Sequence, residues 1–308
     1  MIKNLISNSL TDWEYDSRLL WYMQHYHNNL PDIYRISHLD ADIELVTEMT
    51  SKSDSYILFI KGNENHECFD NLYEDPKLLS IIKNYPALVN HGKKVDGEQS
   101  YAAPLINGVP RYETITEDER TINIPLGYCN GFKPFPRRSR AINRFFCGQT
   151  TTNRVKWIDF INNIDKFGDD DIYGFYKGFA GIEKQRENAL NRNDYAITLG
   201  NSDIALCPAG HSPETFRLAE AALSGCAIIH EVLPNTEYYS EMPGIVITYG
   251  IWQKSDEEVI EWLRPKMKII YENIIELSNQ SMLWYNKWVE ESSCSKRILN
   301  HLRRINVA

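Results

Sequence analysis

The stretch CPAGHSPETFRLAEAALSGCAIIHEV, Cys207–Val232, places a polar turn and a helix between two apolar segments. Ser212 suits an N-cap and Pro213 the first helical position, so the sequence predicts a helix starting there. Gly225 stands where a helix ends in a left-handed residue. At about 100° per residue, Arg217, Glu220 and Ser224 fall within an arc of about 60°, and Leu218, Ala221, Ala222 and Leu223 take the remaining directions. Such a helix is buried on most sides and keeps one narrow polar stripe. Its N-terminus, following a strand and a glycine turn, offers unpaired N–H groups to an anion. Arg217, one turn in, can add a charge-assisted hydrogen bond. Glu220, one turn deeper, is an acceptor-only group suited to a vicinal diol such as a ribose. The competing structural explanation is an Arg217–Glu220 ion pair covering a helix face, with His211 and Ser212 as ordinary turn residues.

Outward from this stretch, short apolar runs alternate with helical patterns. Toward the N-terminus, Trp13 to about Asn28 reads as a helix, Ser55–Lys61 as a strand, and Asp75–Tyr85 (DPKLLSIIKNY) as a helix with Pro76 in its first turn. Ala87–Asn90 and Asn123–Leu126 read as further strands. Gly131–Arg140 (GFKPFPRRSR), with its prolines and basic cluster, reads as a linker. A second series follows: strands at Asn143–Cys147, Asp171–Phe175, Asp203–Cys207, Ala227–Val232 and Ile245–Thr248. A helix is expected around Arg154–Asn163, a helix or turn at Asp194–Leu199, and mostly helix from Asp256 to about Arg304. The alternation predicts an α/β protein of two Rossmann-like domains facing across a cleft. The expected divisions are 1–135, 136–270 and a C-terminal helical segment, 271–308, packing back across the domains.

Composition narrows the function classes. The 308 residues are 43% hydrophobic and carry a formal net charge of −9, which argues against a nucleic-acid partner. The basic knot Arg137-Arg138-Ser139-Arg140 is too short to reverse that. No apolar run approaches the roughly 18 residues of a membrane span, and MIKNLISNSLTDW lacks a secretory apolar core. The cysteines at 68, 129, 147, 207, 226 and 294 form no CxxC pair. Cys129, Cys147, Cys207 and Cys226 sit in or beside apolar runs, as small buried thiols do. These features predict a reduced, cytoplasmic protein without stable membrane insertion. No HxxxH spacing, GxGxxG or Walker A occurs, so neither a metal centre nor a dinucleotide or P-loop site is expected. Asp169-Asp170-Asp171 precedes a strand-like run, the wrong end for a site at strand carboxyl termini, and reads as a polar turn. His230, inside an apolar strand, reads as a core histidine.

The quoted stretch resembles the signature of the exostosin-like (GT47-type) glycosyltransferases. There a strand ending Cys-Pro-x-Gly runs into a Ser/Thr-Phe-Arg-Leu-x-Glu-Ala helix and a Ser-Gly-Cys turn. Cys207, Pro208, Gly210, Ser212, Thr215, Phe216, Arg217, Leu218, Glu220, Ala221, Ser224, Gly225 and Cys226 carry the match. RFFCGQ at Arg144–Gln149 with Arg154 is similar to the family's first donor-domain strand and loop. IPLGYCNGF at Ile124–Phe132 is similar to its interdomain junction, and LFIKGNE at Leu58–Glu64 to an acceptor-side strand and acidic loop. Ala209 departs from the family, many of whose members carry a basic residue there, and His211 is expected to supply polarity instead. The resemblance implies a GT-B fold, a nucleotide-sugar donor (usually a UDP-sugar), a glycan acceptor, inversion at the anomeric carbon and no required metal or other cofactor.

Within that frame, Pro208, Gly210, His211, Ser212, Thr215, Phe216, Arg217 and Glu220 are expected at the donor, with Gly148, Gln149 and Arg154 near its diphosphate or sugar. The transfer needs a base for the acceptor hydroxyl and stabilisation of the departing diphosphate. Glu64, after the SYILFIK strand, is the leading candidate for the base, with Asp96 and His91 in HGKKVDGE next. A pentose such as xylose is one donor sugar the family uses. The alternatives are a DNA-base-modifying glycosyltransferase and a non-catalytic nucleotide- or carbohydrate-binding protein.

Overall fold

The computed structural model describes residues 2–4, 14–27, 29–37, 48, 50–61, 73–84, 87–88, 105–106, 109–110, 113–114, 119–135, 141–149, 174–179, 190–209, 214–247 and 254–307. Two parallel five-stranded sheets organise them. The first is formed by β1 (Ile2–Asn4), β2 (Asp32–Ser37), β3 (Tyr56–Lys61), β4 (Leu78–Lys83) and β5 (Thr121–Asn123), side by side in chain order. Two-residue strands pair antiparallel between β4 and β5, Ala87–Leu88 with Glu113–Thr114 and Leu105–Ile106 with Val109–Pro110. The second sheet contains β6 (Ile142–Gln149), β7 (Gly174–Phe179), β8 (Ser202–Cys207), β9 (Ala227–Glu231) and β10 (Ile245–Ile247). Its spatial order is β7-β6-β8-β9-β10. Strand order therefore reverses at β6, the doubly wound arrangement expected of a Rossmann-like half.

The helices are α1 (Glu14–Tyr26), α2 (Arg192–Gly200), α3 (Phe216–Leu223), α4 (Glu237–Ser240), α5 (Asp256–Glu272), α6 (Ile274–Trp284) and α7 (Glu291–Arg304). A π-helical turn, Tyr285–Val289, joins α6 to α7. Ser255 and Glu258 form a reciprocal capping box at the start of α5, and Pro265 lies inside that helix. Apart from α5, which covers Phe146, Ile204, Leu206 and Ile229 of the second sheet, most elements share one core. That core runs from Tyr15, Leu19, Ile57 and Phe59 to Phe145, Cys207, Leu218 and Ile228, with Ile298, Leu299 and Leu302 of α7 in it.

The end of the chain thus packs against its beginning. Tyr15 donates from its hydroxyl to the Val289 carbonyl at 2.6 Å, and Ser295 donates to the Leu19 carbonyl at 2.9 Å. The segment between the sheets is tied to α1 as well: Glu14 N–H donates to Asn130 Oδ1, and Gly131 N–H to Glu14 Oε2. Tyr128 in the same segment donates to the Glu291 carboxylate. Burial and the Glu291 charge push the Tyr128 phenol above its usual pKa, so it remains the donor at neutral pH.

Three sequence expectations are corrected. DPKLLSIIKNY does not form a helix, because Leu78–Lys83 is β4, a central strand paired on both sides by β3 and β5. A strand buried on both faces reads as a continuous apolar run, which periodicity cannot separate from a short buried helix. The strand expected at Asn123–Leu126 lies earlier, at Thr121–Asn123, and Pro125, which has no N–H, falls outside the ladder. Cys129, expected among the buried thiols, is exposed, while Cys147, Cys207 and Cys226 are buried. The helix expected around Arg154–Asn163 lies outside the described residues.

Gly127 is the tightest joint between the halves. It has φ of +80°, and a Cβ there would lie 2.3 Å from the Tyr15 ring. Gly127→Ala therefore combines a left-handed backbone penalty with overpacking against a buried ring. The expected loss is about 2–4 kcal/mol, read as a lower urea midpoint at unchanged m-value.

Candidate functional site

The switch in strand order places the site. The β6–β7 ladder continues to Gln149↔Phe179, whereas the β6–β8 ladder ends at Phe145↔Ala205. Beyond that pair β6 and β8 part at their carboxyl ends, the place where open α/β sheets bind ligands. The helix after β8 reaches into this opening. Arg217 of α3 donates from Nη2 to the Cys147 carbonyl at 2.9 Å, and its guanidinium lies over the Phe146 ring, 5.0 Å from the centroid.

Two guanidinium nitrogens, Nε and Nη1, are buried without a hydrogen-bond partner. A buried cation with open donors is costly unless an anion satisfies it. Burial alone opposes the charge, but Tyr195, Cys207 and Glu220 around it outweigh that and raise the pKa above the usual arginine value. Gly148 is required for this reach, since a Cβ there would lie 2.3 Å from Arg217 Nη2.

Local sequence explains α3 with one revision. The helix begins at Phe216, capped by Thr215, whose Oγ1 accepts from the Arg217 N–H at a long 3.5 Å. The N-cap expected at Ser212 is therefore corrected to Thr215, also a favoured capping residue. In the first turn the Arg217 N–H is engaged by Thr215 Oγ1 and the Leu218 N–H by the Thr215 carbonyl, so the donors that face an anion here are those of Arg217's own side chain. The end is as expected: Gly225 has φ of +66°. Cys226 N–H donates to Ala221 O and Gly225 N–H to Ala222 O, the paired bonds of a Schellman motif.

The polar stripe of α3 is buried rather than solvated. Glu220 is 4% exposed, and its carboxylate accepts from the Cys129 N–H at 3.1 Å and from the Tyr195 hydroxyl at 2.9 Å. Arg217 and Glu220 are each bonded elsewhere, so the helix face is not explained by a pair between them. Glu220, expected at a ribose, ties α3 to α2 and to the segment between the sheets. Tyr195 packs edge-on to Phe145 and Phe132, and burial followed by the Glu220 charge raises its pKa well above the usual phenol value.

The other expected residues divide by position. Pro208 follows β8 directly, Thr215 and Phe216 open α3, and Gly148 and the Gln149 backbone end β6. Arg154, Gly210, His211 and Ser212 lie outside the described residues, as do Glu64, Asp96 and His91. Tyr195 and Glu214 were not singled out from the sequence. Glu214 is 3% exposed and accepts from the Tyr239 hydroxyl at 2.5 Å. Its placement just before the N-cap, where a helix dipole favours a carboxylate, was the available signal; Tyr195, on a short helix with no clear apolar face, gave none. Among the described residues no group of histidines, cysteines and carboxylates could hold a metal ion. Nor is any described helix long and apolar enough to cross a membrane.

No protein-family model matches the chain, and no curated protein matches it. Solved structures similar to it in shape include a chain of the GtfA/B complex, at 11% identity and a TM-score of 0.49, covering 94% of this chain and 60% of that one. They also include WaaG, a glycosyltransferase involved in lipopolysaccharide biosynthesis, at 12% identity and a TM-score of 0.49, covering 99% and 100%. A third is sucrose-phosphate synthase from Thermosynechococcus elongatus, at 10% identity and a TM-score of 0.46, covering 85% and 77%. This chain thus spans 60% of the GtfA/B chain's length. These likenesses are distant. The two parallel sheets and the reversal at β6 define the architecture directly.

His230, at the carboxyl end of β9 and paired with Cys207 and Val246, donates from Nδ1 to the Glu231 carbonyl at 2.7 Å. Burial lowers its pKa to about 4, against an unfolded value near 6.5. The folded state keeps it neutral, so its contribution is complete above about pH 6.5 and is lost as pH falls toward 4, where the unfolded chain takes up the proton first. Urea unfolding should show a loss of about 3 kcal/mol across that window, and His230→Gln should lack this component of the slope.

Proposed function

We propose that the chain is an inverting glycosyltransferase of GT-B type, transferring a sugar from a nucleotide-sugar donor, a UDP-sugar, to a hydroxyl of a glycan. The observation that carries this reading is Arg217. Its buried guanidinium is fixed by one bond to the Cys147 carbonyl and holds Nε and Nη1 unsatisfied where β6 and β8 part. A diphosphate supplies the missing acceptors. Arg217 itself stands in the first turn of α3, where the helix dipole adds about 0.3–2 kcal/mol toward an anion. The match to the exostosin-like signature over Cys207–Cys226 supports the donor class and the inverting outcome.

In this reading the acceptor oxygen attacks the anomeric carbon as the bond to the diphosphate breaks on the opposite face. The acceptor proton passes to a side-chain base, with Glu64 the leading candidate and Asp96 and His91 next. The departing UDP carries the negative charge that Arg217 and the α3 N-terminus stabilise. Gly148, Thr215 and Phe216 shape the approach to Arg217, and Gln149, Arg154, Pro208, Gly210, His211 and Ser212 complete the donor contacts. Glu220 holds α3 in place for them.

A thermal-shift panel of UDP, GDP, CDP, ADP and dTDP, with and without chelator, tests the donor. The expected result is a selective rise with UDP that survives chelation. Arg217→Ala should weaken UDP binding about 10–100-fold, as loss of a charge-assisted bond of about 1.5–3 kcal/mol implies. Unchanged affinity in a folded variant removes Arg217 from the site. Gly148→Ala, which displaces the flexible end of Arg217 rather than backbone, should also lower UDP affinity with little loss of stability. Glu64→Gln should keep UDP binding and lower turnover by about 10²–10⁴; full activity excludes it as the base. UDP binding without turnover of any UDP-sugar would instead define a nucleotide-binding protein.

A further inference from the structure

A polar cavity lies away from Arg217. It is a groove of about 440 Å³ between β5, the residues entering α4, and the last turns of α7. None of its lining residues comes from the ends of β6 or β8 or from α3. Its size falls in the range of small-molecule sites, about 300–1,000 Å³.

One wall is a basic stripe. Arg297, His301 and Arg304 recur at i, i+4 and i+7 on α7 and all face the groove. Arg297 is held between two rings, 5.0 Å from the Trp288 centroid and 5.4 Å from that of Tyr238. Its Nη2 makes a 3.7 Å contact with Cys294 Sγ, and its Nε is buried without a partner. Arg304 donates from Nη2 to His301 Nδ1 at 3.1 Å. An arginine can only donate, so Nδ1 must be unprotonated and His301 carries its hydrogen on Nε2. Burial first, and then the Arg304 charge, lowers the His301 pKa, against a raising contribution from the Arg120 backbone.

Among the described residues, no carboxylate forms an ion pair with Arg297 or Arg304. The nearby Glu241 is taken by Lys287 and Trp288. Glu237 is the one carboxylate among the lining residues, against two obligate cations. In a chain of net charge −9, an uncompensated pair of arginines around a cavity is not what solubility requires. An arginine pre-oriented by aromatic stacking is suited to planar or tetrahedral oxyanions.

The rest of the lining supplies neutral hydrogen-bonding groups. Asn123, Asn235 and Asn300 line the same space with amides, and Thr121 and Thr236 with hydroxyls that also bond the Tyr73 hydroxyl and the Tyr239 N–H. Amides and hydroxyls donate and accept at once, which matches vicinal sugar hydroxyls. From this combination we infer that the groove is a binding site for an acidic saccharide, its carboxylate or phosphate received by Arg297 and Arg304 and its hydroxyls by the surrounding amides. The site does not depend on the transfer chemistry, and its test reads binding alone.

The test is titration of the full chain with glucuronic acid, glucose 6-phosphate, glucose and inorganic phosphate, followed by ligand-observed NMR. At least one acidic sugar should bind about tenfold or more tightly than glucose and than inorganic phosphate, the factor that one charge-assisted bond supplies. The acid that binds more tightly identifies the anionic group. Arg304→Glu and Asn300→Asp, both at exposed positions, should each reduce that affinity at unchanged thermal unfolding, with about tenfold or more lost in Arg304→Glu. Arg217→Ala should leave it unchanged, which separates this groove from the nucleotide site. Three results overturn the assignment: glucose binding as tightly as the acidic sugars, unaltered affinity in Arg304→Glu, or loss of acidic-sugar binding in Arg217→Ala. Inorganic phosphate equalling glucose 6-phosphate, with no glucuronic acid bound, would reduce the groove to a bare anion site and overturn the saccharide part.

Discussion

Beyond Phe145 and Ala205, β6 stays with β7 and leaves β8, and the rest of the candidate site depends on that parting. A buried carbonyl at a strand end needs a donor, and Arg217 provides one to Cys147. Meeting that need fixes much else. Position 148 must lack a side chain, α3 must start close enough for Arg217 to cross the strand end, and the guanidinium must be buried. One nitrogen is consumed in holding the strand end. The other two remain as binding capacity, and they set the charge a ligand must bring.

The position of α3 is in turn maintained by Glu220. Its carboxylate joins three elements distant in sequence: the helix itself, α2 through Tyr195, and the segment between the sheets through the Cys129 N–H. A buried carboxylate is stable only when its hydrogen bonds are met, and removing a partner costs more than the bond contributes. The same segment is bonded to α1 through Glu14 and Asn130, while α7 returns to pack on α1. Changes in the arrangement of the two sheets therefore bear on α3, linking the carboxyl end of the second sheet to the packing of the chain's two ends.

The acidic overall charge and the two basic sites are compatible because both basic sites are local. Arg217 is half-buried with its Nε and Nη1 shielded from solvent, and Arg297 is clamped between Trp288 and Tyr238. Enclosed or clamped guanidinium groups lose little freedom on binding and act in surroundings less polar than water. Long-range attraction by the whole molecule is not required.

Much of this protein follows from local sequence. Ser-Gly-Cys at 224–226 ends a helix because only glycine enters the left-handed region without penalty, and DIALC and AIIHE are apolar runs too short for buried helices. The α/β class and the involvement of Arg217 in the candidate site were legible from such patterns. LLSIIK was not, because a strand buried on both faces has no alternation to reveal it. Nor was the N-cap, since Ser212 and Thr215 are both good caps and their spacing does not choose between them. The roles of Glu220 and Tyr195, and the basic groove of Arg297, His301 and Arg304, exist only once α2, α3, α4, α7 and β5 are brought together. Sequence sets what each residue can donate, accept or bury; only tertiary contact decides which partner remains absent, because an unsatisfied buried donor is defined by its surroundings and not by its own chemistry.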